Sequence, residues 1–216
     1  MEGVNMFNRA ELKQMAKDQL RGRWGGAIGA FVLVYLVILV VSGLTYILPV
    51  GAIVTFILSG PLMVGLIIYC MNLINTSEKV GVSTAFKGFG IFGPALATFL
   101  WELLWVYLWM LLFIIPGIIK GYSYSQCLYI IADNPNIGAR QALKISMRMT
   151  QGYKWKIFVM NLSFIGWGLL CMLSLYIGYL WLAPYMQLTM TNMYYKLKEL
   201  SLESGVCTPG DFGMSQ

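Results

Sequence analysis

The sequence predicts an all-α integral membrane protein: a six-helix bundle built from three hairpin-like units, with basic amphipathic interfacial helices. Three observations predict it. Apolar residues make up 58% of the chain and charged residues 11%, with mean hydropathy +0.70. A soluble domain carries about 25% charged residues, so a soluble fold of this composition would show water a mostly apolar surface. Apolar runs of membrane-spanning length alternate with polar stretches. The basic residues collect in four of those stretches, and the Pro-containing corners between them carry one charge, Lys120.

Residues 1–26 read as an N-terminal amphipathic interfacial helix. Asn8 is placed to cap it, with Glu11 completing a capping box and Phe7 and Leu12 forming a hydrophobic staple. Leu12, Met15, Ala16 and Leu20 share one face, and Arg9, Lys13, Lys17 and Arg21 form a basic stripe at i, i+4 spacing. Like charges at that spacing repel in isolation. Against anionic headgroups each gains about 1 kcal/mol. The helix is therefore expected to lie on the inner leaflet.

Residues 27–199 read as a six-span membrane domain. Ala27–Leu48 is a run of 22 uncharged residues. At a rise of about 1.5 Å it reaches about 33 Å, enough for a hydrocarbon core of about 30 Å. It is too long for a signal-peptide core and reads as a retained span. Gly25 and Gly29 at its start predict a close helix contact. Pro49 and Gly51 end it. A second span, Ile53–Leu73, is expected to kink at Gly60-Pro61. The polar stretch Asn75–Gly93 carries Lys79 and Lys87. A third span, Ala95–Ile115, ends at Pro116-Gly117, and a short fourth run covers Ile118–Ala132. The basic stretch Asp133–Lys156 contains a second amphipathic segment, 134–156, with Arg140, Lys144 and Arg148 in the register of the first. A fifth span, Ile157–Leu182, is broken by Pro184, and a short sixth run, Tyr185–Tyr195, holds Gln187 and Asn192. Residues 200–216 are expected to form a disordered cytoplasmic tail.

Basic loops stay on the cytoplasmic side. If all four basic regions share that side, each pair is joined by a hairpin, and three hairpins make six crossings with both termini cytoplasmic. Parity then requires the short fourth and sixth runs to cross or nearly cross; a re-entrant half-helix is the competing reading. An internal repeat is also visible. Arg9, Leu12, Lys13, Lys17, Arg23 and Trp24 match Arg140, Leu143, Lys144, Arg148, Lys154 and Trp155 at constant offset, and Pro61-Leu62-Met63 matches Pro184-Tyr185-Met186.

The chain has no histidine, and its four cysteines lack any C-x-x-C spacing. No nucleotide loop, nucleophile elbow, paired carboxylate or metal-ligand spacing occurs, so the expectation is no enzyme, no cofactor and no metal. Glu102 is the one acid well inside a span. A charge at membrane depth costs roughly 2.5–3.5 kcal/mol, and such a residue marks either a pathway or a structural partner. Lys120 is placed at the outward end of the fourth run, either to snorkel to the interface or to join a pathway. Tyr122, Ser123, Ser125 and Gln126 form a polar segment just after a Pro-Gly pair. It either lines a water-filled vestibule or hydrogen-bonds between helices. These six residues are the ligand or pathway candidates. The membrane-surface candidates are Arg9, Lys13, Lys17, Arg21, Arg140, Lys144 and Arg148. Trp101, Trp105 and Trp109 form an i, i+4, i+8 stripe for packing or lipid contact.

The run Ile115-Pro116-Gly117-Ile118-Ile119-Lys120-Gly121-Tyr122-Ser123, then Ala132-Asp133-Asn134-Pro135-Asn136, Ala139-Arg140-Gln141-Ala142 and Phe164-Ile165-Gly166-Trp167, with the opening Arg9-x-x-Leu12-Lys13, resembles a bacterial integral membrane family catalogued as domain of unknown function 975. The resemblance runs from about Phe7 to about Leu197. It implies a bacterial inner-membrane location and several helices, and it assigns no catalytic residue. A fainter likeness to the membrane portion attached to some glycerophosphodiester phosphodiesterases hints at lipid surroundings. The partners expected are a bilayer with anionic headgroups and a membrane-protein partner or second copy of the chain, with no nucleic acid. The leading expectation is small-molecule or lipid binding or transport through the bundle. The alternative is a non-transporting accessory, envelope-stress or antimicrobial-tolerance protein that binds another membrane complex.

Overall fold

The computed structural model describes residues 7–43 and 51–214. The end of the first predicted span, Leu44–Leu48, the Pro49 corner, and residues 1–6 and 215–216 lie outside them. The described residues are helical, with no strand. In chain order the α-helices are α1 (Arg9–Leu20), α2 (Trp24–Gly43), α3 (Gly51–Asn75), α4 (Phe92–Leu112), α5 (Ile114–Tyr124), α6 (Cys127–Asp133), α7 (Ala139–Met149), α8 (Lys154–Leu173) and α9 (Tyr179–Glu203). A 3-10 segment, Val82–Ile91, leads into α4, and a short one, Pro209–Phe212, ends the chain.

Among the described residues four helices are long and apolar enough to cross a membrane: α2, α3, the Val82–Leu112 segment containing α4, and α8. Their outer faces carry the side chains that water would reject. Leu111 and Ile115 are each 73% exposed at the α4–α5 turn, and Leu173 and Leu175 each 83% exposed after α8. The fourth predicted run is corrected. It divides at Ser125 and Gln126 into α5 and α6, of 11 and 7 residues. At about 1.5 Å per residue neither spans a bilayer alone. The sixth run is part of α9, whose 25 residues are too polar to count as a fifth spanning helix on composition.

The corner at Pro116 begins a helix rather than ending one. The chain breaks at Phe113, which is extended, and Pro116 sits in the first turn of α5. An early turn tolerates proline because its N–H groups lack helical acceptors. Likewise α8 stops at Leu173, and Leu175 and Tyr176 take positive φ, 52° and 64°, in the turn before α9. Pro184 therefore lies inside α9, and Pro61 inside an unbroken α3.

The two larger of three buried clusters among the described residues hold most of the helices together. One joins α3, α6, α7, α8 and α9 around Ile130, Ile145, Met160 and Tyr194. The other joins α1, α2, α3 and α9 around Leu20, Ala30, Tyr69 and Leu188. The amphipathic helices contribute their apolar faces to these cores. Leu12, Ala16 and Leu20 of α1 are buried, and α1 packs on α9. Asn8 caps α1 by accepting from the Ala10 amide, and Phe7 and Leu12 are buried in one cluster as the staple requires. In the same way α7 packs on α6, and the Val82–Ile91 segment on α3.

The predicted close contact at Gly25 and Gly29 is also corrected. A Cβ at Gly25 would meet open space, and one at Gly29 only the Val82 side chain. The close approach is elsewhere: a Cβ on Gly65 would collide with the Ala85 carbonyl, and one on Gly88 with the Pro61 carbonyl. These two glycines let the 3-10 segment lie directly on α3.

The tail expectation fails for residues 200–214. Helix α9 continues to Glu203, Cys207 and Phe212 are buried, and Thr208 and Asp211 form a capping box. Asp211 pairs with Arg148 at 2.7 Å, and Asn134 donates to the Phe212 carbonyl. Polar composition concealed one aromatic anchor and one ion pair. Near the same end Lys198 pairs with Asp133, and Asn75 donates to Tyr195. The ends of α3, α6 and α9 thus meet.

Candidate functional site

A cavity of about 520 Å³ lies among α2, α3, α4, α6, α8 and α9. Its walls are apolar: Phe31 and Val34 from α2, Leu62 and Leu66 from α3, Met190 and Met193 from α9. Its polar groups are Tyr35, Glu102, Ser125, Gln126, Tyr129, Asn161 and Gln187, and no lysine or arginine among the described residues lines it. Tyr35 and Met63, midway along α2 and α3, also line it and are 46% and 49% exposed, so the cavity reaches the outer surface there.

The α5–α6 break builds the polar floor. Ser125 Oγ donates to the Tyr122 carbonyl at 2.9 Å. Its single proton is thereby committed, so it accepts from Gln126 Nε2, also at 2.9 Å. The Gln126 amide donates to Ser146 Oγ of α7, which donates to the Ser123 carbonyl at 2.7 Å. One hydroxyl thus replaces the helical bond lost at the break. The floor is fixed, yet Gln126 Oε1 is buried with no hydrogen-bond partner. A buried acceptor without a donor costs about 1–3 kcal/mol. Across the cavity Gln187 Nε2 donates to Tyr129 Oη at 3.0 Å, and Asn161 Nδ2 to the Ile157 carbonyl at 3.2 Å. Among the described residues no ion pair or hydrogen bond reaches the Glu102 carboxylate. The site therefore presents two open acceptors, Glu102 and Gln126 Oε1, inside an apolar enclosure.

Three of the six candidates, Glu102, Ser125 and Gln126, line the cavity. The other three do not. Tyr122 packs edge-on against Phe158, and Ser123 Oγ donates to the Ile119 carbonyl within α5. Lys120 lies 4.9 Å above the Trp109 ring, in a separate groove with Arg140 and Lys144. Residues Tyr129, Asn161 and Gln187 were missed; their signal was polarity inside apolar runs.

The surface candidates divide as well. Lys13 Nζ donates to Ser163 at 2.7 Å and sits over Phe164, while Lys17 lies over Tyr185. These two are directed at α8 and α9 rather than away from the protein, because aromatic rings flank the apolar face of α1 and attract cations. Burial, then the charges of Arg9 and Lys17, push the Lys13 ammonium below its ordinary value. Arg148 is held by Asp211. Arg9, Arg21, Arg140 and Lys144 are exposed and make no ion pair among the described residues. Arg23 donates to the Leu73 and Thr76 carbonyls at 2.8 and 2.6 Å, placing a cation at the C-terminus of α3.

A family model described as protein of unknown function (DUF975) matches residues 6–120 and 98–201. No curated protein and no solved structure matches the chain.

Proposed function

The chain belongs to the DUF975 family, and we propose that it is a membrane protein that binds an amphiphilic small molecule or lipid inside its helix bundle. The observation that carries this reading is the pair of open acceptors in an apolar cavity. Among the described residues Glu102 and Gln126 Oε1 have no protein donor, and no lysine or arginine lines the space. The complementary group is a donor, best a cationic one such as an ammonium. The volume of about 520 Å³ falls within the range of small-molecule sites. The surface opening at Tyr35 and Met63 is midway along two candidate spans, which suits entry from the bilayer. Binding rather than catalysis fits a lining whose titratable groups are one carboxylate and two phenols.

We place the protein in a bacterial cytoplasmic membrane with both termini on the cytoplasmic side. The gathering of the basic segments' ends supports this, since lysine and arginine favour that side. The three-unit repeat has similar support. Packing of α1 on α9, the 3-10 segment on α3 and α7 on α6 is the pattern that three units closing into a ring would give.

The test is labelling of the full chain in proteoliposomes with a photoactivatable long-chain alkylammonium. Labels should map to Leu66, Met190 and Met193. Glu102→Gln should lower labelling roughly 10–100-fold, the weight of a hydrogen bond to a charged group. Labels confined to the outer faces, unchanged in the variant, would support the accessory reading instead.

A further inference from the structure

We propose that the groove between α4, α5 and α7 is a second, discrete site that holds the phosphate headgroup of an anionic phospholipid, with the acyl chains along the outer face of α4. The groove has a volume of about 280 Å³ and brings together Lys120 of α5 with Arg140 and Lys144 of α7. No acidic residue lines it, and none of the three cations makes an ion pair among the described residues. Three like charges in one depression repel, so the arrangement calls for an anion.

Aromatic rings hold two of these cations in place without neutralising them. Lys120 Nζ lies 4.9 Å from the Trp109 ring centre, and the Arg140 guanidinium 5.7 Å from that of Trp101. A cation held over a ring keeps its hydrogen-bond donors for another partner. Trp105 stands edge-on to Trp101 at 6.3 Å, which extends the aromatic floor. The groove also borders an apolar surface. Leu104, Leu108 and Leu111 of α4 are 44%, 39% and 73% exposed and follow, at helical spacing, the same stretch of α4 as Trp101, Trp105 and Trp109. A phosphate against cations beside an apolar stripe is the pattern of a phospholipid rather than a free anion. Tryptophan at that boundary is suited to the headgroup level.

The site is independent of the cavity: it shares none of its lining residues and takes the opposite charge. It also differs from diffuse attraction to a charged membrane, because it depends on cations from two helices and not on the basic face of one.

Native mass spectrometry of the full chain tests it, with phosphatidylglycerol and phosphatidylcholine as probes. The chain should retain one phosphatidylglycerol in preference to phosphatidylcholine. Lys120→Gln combined with Arg140→Gln should lower that retention about tenfold or more, while Lys120→Arg keeps it. Arg9→Gln combined with Arg21→Gln, outside the groove, should leave it unchanged. Circular dichroism of each variant establishes that the helices persist. Equal loss in both double variants would mean diffuse attraction and overturn the site, as would full retention in the groove variant. Displacement of the lipid by millimolar inorganic phosphate would make this a soluble-anion site and overturn the lipid assignment.

Discussion

Trp101 and Glu102 are neighbours in the chain and line different spaces. Trp101 lines a groove with three cations and no acid, and Glu102 lines a cavity with a carboxylate and no cation. The turn of about 100° per helical residue is enough to part them. The carboxylate and the lysines thus line separate spaces and do not pair. Had Lys120 reached Glu102, the two would form one ion pair and leave neither free for a ligand. Kept apart, each stays open to a ligand.

Four substitutions break this contrast to different degrees. The largest effect is expected from Gly65→Ala, which damages the scaffold under both sites by forcing the 3-10 segment off α3. Overpacking of this kind costs about 1–3 kcal/mol or more. A lowered thermal midpoint, with loss of both alkylammonium labelling and phosphatidylglycerol retention, is the expected result; an unchanged midpoint would show that the contact yields. Next is Glu102→Gln, which should abolish most cavity labelling and leave phosphatidylglycerol retention intact. Lys120→Gln should do the reverse, with a smaller change because Arg140 and Lys144 remain. A variant that lost both properties without losing stability would show that the two sites are coupled.

The smallest effect is expected from Asp211→Asn, which touches neither site. The Thr208 amide and then the Arg148 guanidinium hold the Asp211 carboxyl below the usual carboxylate range. A depressed pKa stabilises the docked tail above the ordinary carboxylate value, about 3.9, and that contribution is lost as pH falls through the lower folded value. The pair is partly exposed, so the loss should stay below about 1 kcal/mol. Hydrogen exchange over residues 205–214 should quicken in the variant at neutral pH, and in the parent protein only on acidification. Exchange unaffected by either would show that Phe212 alone anchors the tail.

Much of the fold was legible because apolar runs and caps are local signals. The start of α1 at Asn8, the four long apolar helices and the buried faces of α1 and α7 all follow from spacing in the chain. The fourth run was not, because Ser146, some twenty residues on, supplies the bonds that let α5 and α6 part at Ser125 and Gln126. The proline corners misled for a related reason. A proline marks an irregular backbone, but only the neighbouring dihedrals show whether it closes one helix or opens the next.

The site was half legible. Glu102 stood out as an acid among apolar residues, and Ser125 and Gln126 as polar groups near it. Tyr122 and Ser123 carried the same signal, but the α5 helix turns them toward α8 and into its own backbone. Asn161 and Gln187 become part of the cavity only through packing of α8 and α9, which periodicity does not encode. Lys120 was placed at a far end from Arg140 because a full crossing was expected. The turn back at Phe113 returns it along α4 to the same groove.

The most direct test is a crystal structure of the full chain grown from a lipidic mesophase. The expected result is elongated density entering beside Tyr35 and Met63, its head within hydrogen-bond distance of Glu102 and Gln126 Oε1. A closed, dry bundle in which the Glu102 carboxylate accepts from a protein donor would contradict the binding function and favour an accessory role.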